Sequence, residues 1–126
     1  MTPTPDASLL GRLRRLLPSG KGDAPRVSVD APRALQLIRD GADLVDVRED
    51  SEWNAGHAPQ ALHIRLADIP TAAPRQLVPG KPVVVMCASG IRSHAAAEHL
   101  RALGFAATSL TGGLTAWRAA GGPVHR

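Results

Sequence analysis

The stretch VVVMCASGIRS, Val83 to Ser93, ends an apolar run at the only cysteine of the chain, with Gly90 and Arg92 close behind it. A thiol at a strand end, just before a helix, meets the unpaired N–H groups and the positive dipole end of that helix. Gly90 permits a backbone conformation that other residues resist, so the loop can fold tightly around the sulfur. Arg92 adds a permanent positive charge. All three effects favour thiolate over thiol. Comparable surroundings bring a cysteine from about 8.5 into the range of roughly 3.5 to 7.5, and the thiolate is the nucleophile. Taken by itself, C-x-x-G-x-R also fits a small buried hydrophobe, the usual role of a free cysteine.

Other residues could join such chemistry. Asp46 and Arg48, in "DVRE", sit at a second strand end. Their types allow catalysis, but a buried ion pair or hydrogen-bond brace beneath the site is the simpler assignment. Glu49 and Glu52 follow on a polar segment, where they would cap a helical turn or line the rim. His57, in "GHAP", could act as a base; a cysteine already held as thiolate needs none, so a structural hydrogen bond is expected there. His94 and His99 stand five apart, off the i,i+4 spacing of helical metal ligands, and no metal site is read here.

The elements that would position these groups follow from patterning. "RVSVD", "DLVDVR", "ALHI", "KPVVVMC" and "AATSL" read as five strands. Between them "APRALQLIRDG" reads as a helix with Asp30 as cap, Pro32 in its first turn and Gly41 past its end. "DSEWNAGH" reads as a helical turn. "LADIPTAAPRQLV" is interrupted by Pro70 and Pro74 and reads as short helical pieces. "SHAAAEHLRALG" is a helix that Ser93 starts and Gly104 ends, and "TGGLTAWRAAGG" a last helix with Trp117 in the core. Apolar runs without alternation, set between helices, predict a parallel sheet with helices on both faces, and a site beyond the strands' carboxyl ends.

Bulk numbers narrow the classes. The chain has 126 residues, 44% of them hydrophobic, enough for one packed core. Trp53, Phe105 and Trp117 are its only aromatics, which leaves no stacking platform for single-stranded nucleic acid. The net charge of +4 is mild, and its basic cluster is local; no nucleic-acid partner is expected. One cysteine cannot form an internal disulfide. No apolar run approaches the ~20 residues of a membrane span, and the N-terminus lacks the pattern of a secretory signal. A cytoplasmic protein is the expectation.

Residues 1–25 differ from the rest, and the domain is expected to run from 26 to 126. "SLLGRLRRLL" puts Leu9, Leu10, Leu13, Leu16 and Leu17 within an arc of about 120°, with Arg12, Arg14 and Arg15 opposite. "PSGKGDAP" is a linker. Such a basic amphipathic helix docks on its own domain or a second copy, or on an anionic membrane surface or partner protein.

The loop "CASGIRS" resembles the active-site loop of rhodanese-family sulfurtransferases. "LVDVRED-SEW" (Leu44 to Trp53), "GHAPQALHI" (Gly56 to Ile64) and "LTGGLTAWRAAGGPV" (Leu110 to Val124) are similar to further motifs of that family, in its order and spacing. The resemblance covers about residues 26 to 125. It implies a rhodanese-like α/β fold with a five-stranded parallel sheet, and a reaction without cofactor. Cys87 would take a sulfane sulfur from a donor such as thiosulfate, become a persulfide, and pass the sulfur to cyanide or a thiol. The backbone N–H groups of Ala88, Ser89, Gly90, Ile91 and Arg92 would cradle the terminal sulfur anion, and Ser93 would bond the loop or steady the thiolate. Arg92 would either attract an anionic donor or pair with a carboxylate to brace the loop. Related phosphatases use a Cys-to-Arg loop one residue longer; the six residues from Cys87 to Arg92 suit one extra sulfur atom. With one cysteine, no internal thiol can resolve the persulfide. The sequence departs from the family at Gln60, His63 and Arg65, where Gly, Asn and Pro are commoner, and its loop carries one cation rather than two. Family members that serve as binding modules commonly lose the cysteine; a persulfide carrier or sensor serving a partner protein would keep it.

Overall fold

Every residue of strand β4 (Val83–Met86) is buried, because β4 lies at the centre of a five-stranded sheet with helices on both faces. The computed structural model describes residues 27–126; the amphipathic helix and linker read at residues 1–25 lie outside them. The strands β1 (Ser28–Val29), β2 (Asp43–Asp46), β3 (Leu62–His63), β4 and β5 (Ala107–Leu110) are arranged in the order β1-β5-β4-β2-β3. All pairs are parallel, with Val45 beside Val85 and Val85 beside Ser109. This is the α/β sheet that the alternating pattern predicts.

The side-chain alternation of a strand sorts β4 between two cores. Val83, Val85 and Cys87 pack with Ile69 and Ala73 of α3 (Ile69–Gln76) and with Ala96, Ala97 and Leu100 of α4 (Ile91–Ala102). Val84 and Met86 face the other way, onto Ala31 and Ala34 of α1 (Ala31–Arg39) and Trp117 of α5 (Gly113–Ala119). Trp117 is fully buried, and its indole N–H donates to Pro123 O at 2.8 Å.

Local signals act where they are read. Asp30 caps α1 by accepting Arg33 N–H at 2.9 Å, and α1 carries a proline in its first turn. Glu49 and Glu52 form a capping box on α2 (Asp50–Ala55). Two readings differ. The segment with two prolines is a 3₁₀ turn, Leu66–Asp68, followed by one uninterrupted helix, α3, with Pro74 inside it. Pro70 lies in the first turn, where a missing N–H costs nothing, and burial of Ile69 and Ala73 holds the rest. Helix α4 starts at Ile91 rather than at Ser93, because Gly90 adopts the left-handed conformation (φ 110°) and turns the chain into the helix two residues sooner.

Candidate active site

The early start of α4 makes Gly90 its N-cap, a position whose side chain normally accepts an N–H of the first turn. Glycine has none to offer, and the sulfur of Cys87 takes the role. Gly90 N–H donates to Sγ at 3.0 Å and Ser93 N–H at 3.3 Å. Sγ also lies 3.5 Å from Ser93 Oγ, to which the thiol donates. Burial pushes the thiol up, the largest single effect. Hydrogen bonds from the Ser93 hydroxyl and from the N–H groups of Ser93, Gly90 and Ser89 outweigh it, so Cys87 ionises below the ordinary thiol value.

The loop is held from behind by the turn between β5 and α5. Leu114 N–H donates to Cys87 O at 2.8 Å. A Cβ at Gly113 would stand 2.4 Å from Cys87 O and 2.5 Å from Ala88 C, so only glycine allows this approach. Ala88 and Gly90 are half-buried, whereas Ser89 is exposed and Ile91 is 80% exposed. An open depression of about 340 Å³ borders the loop, lined by Ser89, Gly90 and Ile91 together with Ser28, His94 and Ser109 among others.

Arg92 reaches back to α2. Its two terminal nitrogens donate to the two carboxylate oxygens of Glu52 at 2.7 and 2.9 Å, a fork-to-fork pair. The guanidinium holds the Glu52 carboxyl down at about 2, and the carboxylate in turn raises Arg92 further. Of the two roles open for Arg92, the geometry displays the brace. Asp46 and Arg48 form a buried pair at 2.7 Å. Arg48 also donates to Gly56 O at 2.7 Å and Glu52 O at 3.3 Å, which ties β2 to the last turn of α2. A chain of contacts thus runs from Asp46 through Arg48 and α2 to Glu52, Arg92 and the sulfur loop.

His57 follows α2 in the chain. Its Nδ1 donates to Trp53 O at 2.8 Å, and its backbone exchanges two hydrogen bonds with His125. The Trp53 ring stacks on His57 at 3.5 Å and on His63 at 4.5 Å, and His63 Nε2 donates to Arg48 O at 2.8 Å. Among the described residues no three His, Cys, Asp or Glu side chains are grouped to hold a metal ion.

Sequence reasoning missed Ser109. Its hydroxyl lies 2.7 Å from Ser93 Oγ and it is 1% exposed. The available signal was a serine inside a strand with no exposed residue. The partnership of Glu52 with Arg92 was also missed, because 40 positions separate them.

Known proteins share the family and fold of this chain. Residues 30–120 match the family model described as Rhodanese-like domain. Over 74 residues the chain is 43% identical to YtwF of Bacillus subtilis (strain 168), a protein named as a candidate sulfurtransferase; the match covers 59% of this chain and 71% of that one. The crystal structure of a rhodanese-related protein from Thermoplasma volcanium is similar with a TM-score of 0.70 and 30% identity, covering 79% of this chain and 98% of that one. The solution structure of the rhodanese-like domain of Alr3790 from Anabaena sp. gives 0.72 and 30%, covering 80% of each chain.

Proposed function

The chain belongs to the rhodanese-like domain family, and from that premise we propose that it is a sulfurtransferase working through a persulfide on Cys87. The observation that supports this most directly is the sulfur itself. Two N–H donors of one helix start converge on it, and these hydrogen bonds favour its ionised form.

The cycle has two displacements. The Cys87 thiolate attacks the outer sulfur of thiosulfate; a new S–S bond forms, the donor's S–S bond breaks, and sulfite leaves with the bonding pair. The persulfide's terminal sulfur anion rests among the N–H groups of Ala88, Ser89, Gly90, Ile91 and Arg92, at the positive end of α4. An acceptor then attacks that sulfur. Cyanide departs as thiocyanate, a thiolate as a new persulfide, and Cys87 is released as thiolate. The depression lined by Ser89 and Gly90 lies beside the loop that carries Cys87, and with Cys87 buried a donor needs that loop to give way before it meets the sulfur. Asp46, Arg48 and His57 keep the surrounding loops in place rather than touching the reacting atoms.

Intact mass measured without reductant after incubation with thiosulfate tests the first displacement. The protein should gain one sulfur, and Cys87→Ala should not; no gain, or an equal gain by the variant, overturns the reading. A carrier that hands sulfur to a partner protein shares this first step. Ile91, 80% exposed beside the loop, favours that second reading. The segment at residues 1–25 would then be the docking element for the partner or for a membrane surface. Multiple turnovers with cyanide or glutathione separate enzyme from carrier.

A further inference from the structure

We infer that Ser109, buried on β5, is a positioning residue for the nucleophile: its hydroxyl donates to Ser93 Oγ and so leaves the Ser93 proton free to serve the Cys87 sulfur. The inference rests on the reading of Cys87 as the nucleophile. It follows from counting protons. Ser93 Oγ has three neighbours: Gly90 O at 3.2 Å, Cys87 Sγ at 3.5 Å and Ser109 Oγ at 2.7 Å. A hydroxyl has one proton and two lone pairs, so Ser93 can donate to one of them at a time.

The Ser109 hydroxyl has Ser93 Oγ as its one hydrogen-bond partner among the described residues. The bond of 2.7 Å uses one of the two hydroxyl protons. If Ser93 spent its proton on Ser109, the thiolate would lose its side-chain donor. If Ser109 donates instead, both states of the cysteine are satisfied. With the thiol, S–H donates to Ser93 Oγ and Ser93 donates to Gly90 O. With the thiolate, the Ser93 proton turns to Sγ, and Gly90 O keeps the N–H of His94 at 3.1 Å. Hydrogen bonds to an ionised acceptor are the stronger kind, and a donor behind Ser93 polarises it further. Ser109 therefore acts in both states without touching the sulfur.

The test compares Ser109→Val and Ser109→Ala, which lack the hydroxyl, with Ser109→Thr, which keeps it and has nearly the volume of the valine. The chain has one cysteine and no tyrosine, so its ultraviolet thiolate absorbance titrates Cys87 without interference from tyrosinate. In the Val and Ala variants the titration should move to higher pH. Sulfur uptake from thiosulfate, measured below the wild-type midpoint, should fall about three- to tenfold, the worth of one ordinary hydrogen bond. The Thr variant should follow the wild type in both. Should the Val variant fail to fold, Ala and Thr decide. A hydroxyl that only fastens α4 to β5 would change thermal stability and leave the titration in place. Titration of Val and Ala with the wild type, or of Thr together with Ala, overturns the inference. The titration needs no sulfur transfer, so it fails independently of the proposed function.

Discussion

The carboxylate of Glu52 holds two things at once. It accepts Glu49 N–H at 3.0 Å, closing the cap of α2, and it grips both terminal nitrogens of Arg92. Both side chains are about a third exposed, so solvent screens the pair and its worth is about 1 kcal/mol or less. The folded-state carboxyl is depressed from 4.5 to about 2. A depressed acid stabilises the fold above its unfolded value and loses that contribution as pH falls through the folded one. Glu52→Gln should therefore be less stable in urea at pH 7, and its deficit should close between 4.5 and about 2; equal stability at pH 7 would refute the brace. Cys87 is depressed too, so sulfur uptake should rise with pH about a midpoint below that of an ordinary thiol. Rates against pH check this, and Ser93→Ala should move the midpoint up. At this scale the sequence showed the thiol plainly, since it is the one cysteine and stands where a strand meets a helix. Its supporters were less legible. A serine in a strand is chemically ordinary until β5 is laid beside β4, with Ser109 next to Val85.

Between elements, the turn from β5 to α5 packs directly against the sulfur loop. Gly113 has φ 56°, and the site of its missing Cβ is occupied by the carbonyl of Cys87 and the backbone of Ala88. Alanine there costs about 1–2 kcal/mol for the left-handed conformation alone, and the methyl must also push the loop outward. Gly113→Ala should lower both stability and sulfur uptake, the latter also at temperatures where the variant is fully folded. Uptake equal to wild type would show that the loop tolerates the shift. Repeating pattern made the five strands and main helices legible, because burial imposes periodicity. The start of α4 was not, because Gly90 opens the helix through its backbone conformation, and nothing in the letters of "GIRS" separates Gly90 from Ser93 as the cap. Pro74 likewise reads as a break, while the tertiary burial of Ala73 keeps α3 whole.

Across the whole molecule, the strand order puts β4 between β5 and β2, and the parallel sense carries all three carboxyl ends to one edge. Each neighbour contributes to the site: β5 brings Ser109 and leads into Gly113, and β2 brings Asp46 and leads into Arg48. The C-terminal segment adds one more pairing, His125 with His57. Order and direction of this kind follow from the packing rules that alternating strands and helices invoke, whereas the pairing of His57 with His125 depends on a segment with no periodic signal. Cys87 is 0% exposed, and a disulfide requires two sulfurs about 2.05 Å apart. Two folded copies cannot bring theirs that close while both stay buried. The purified protein should thus run as a monomer on a non-reducing gel after long exposure to air, yet react at once with a thiol reagent in denaturant. Covalent dimers forming under native conditions would contradict this.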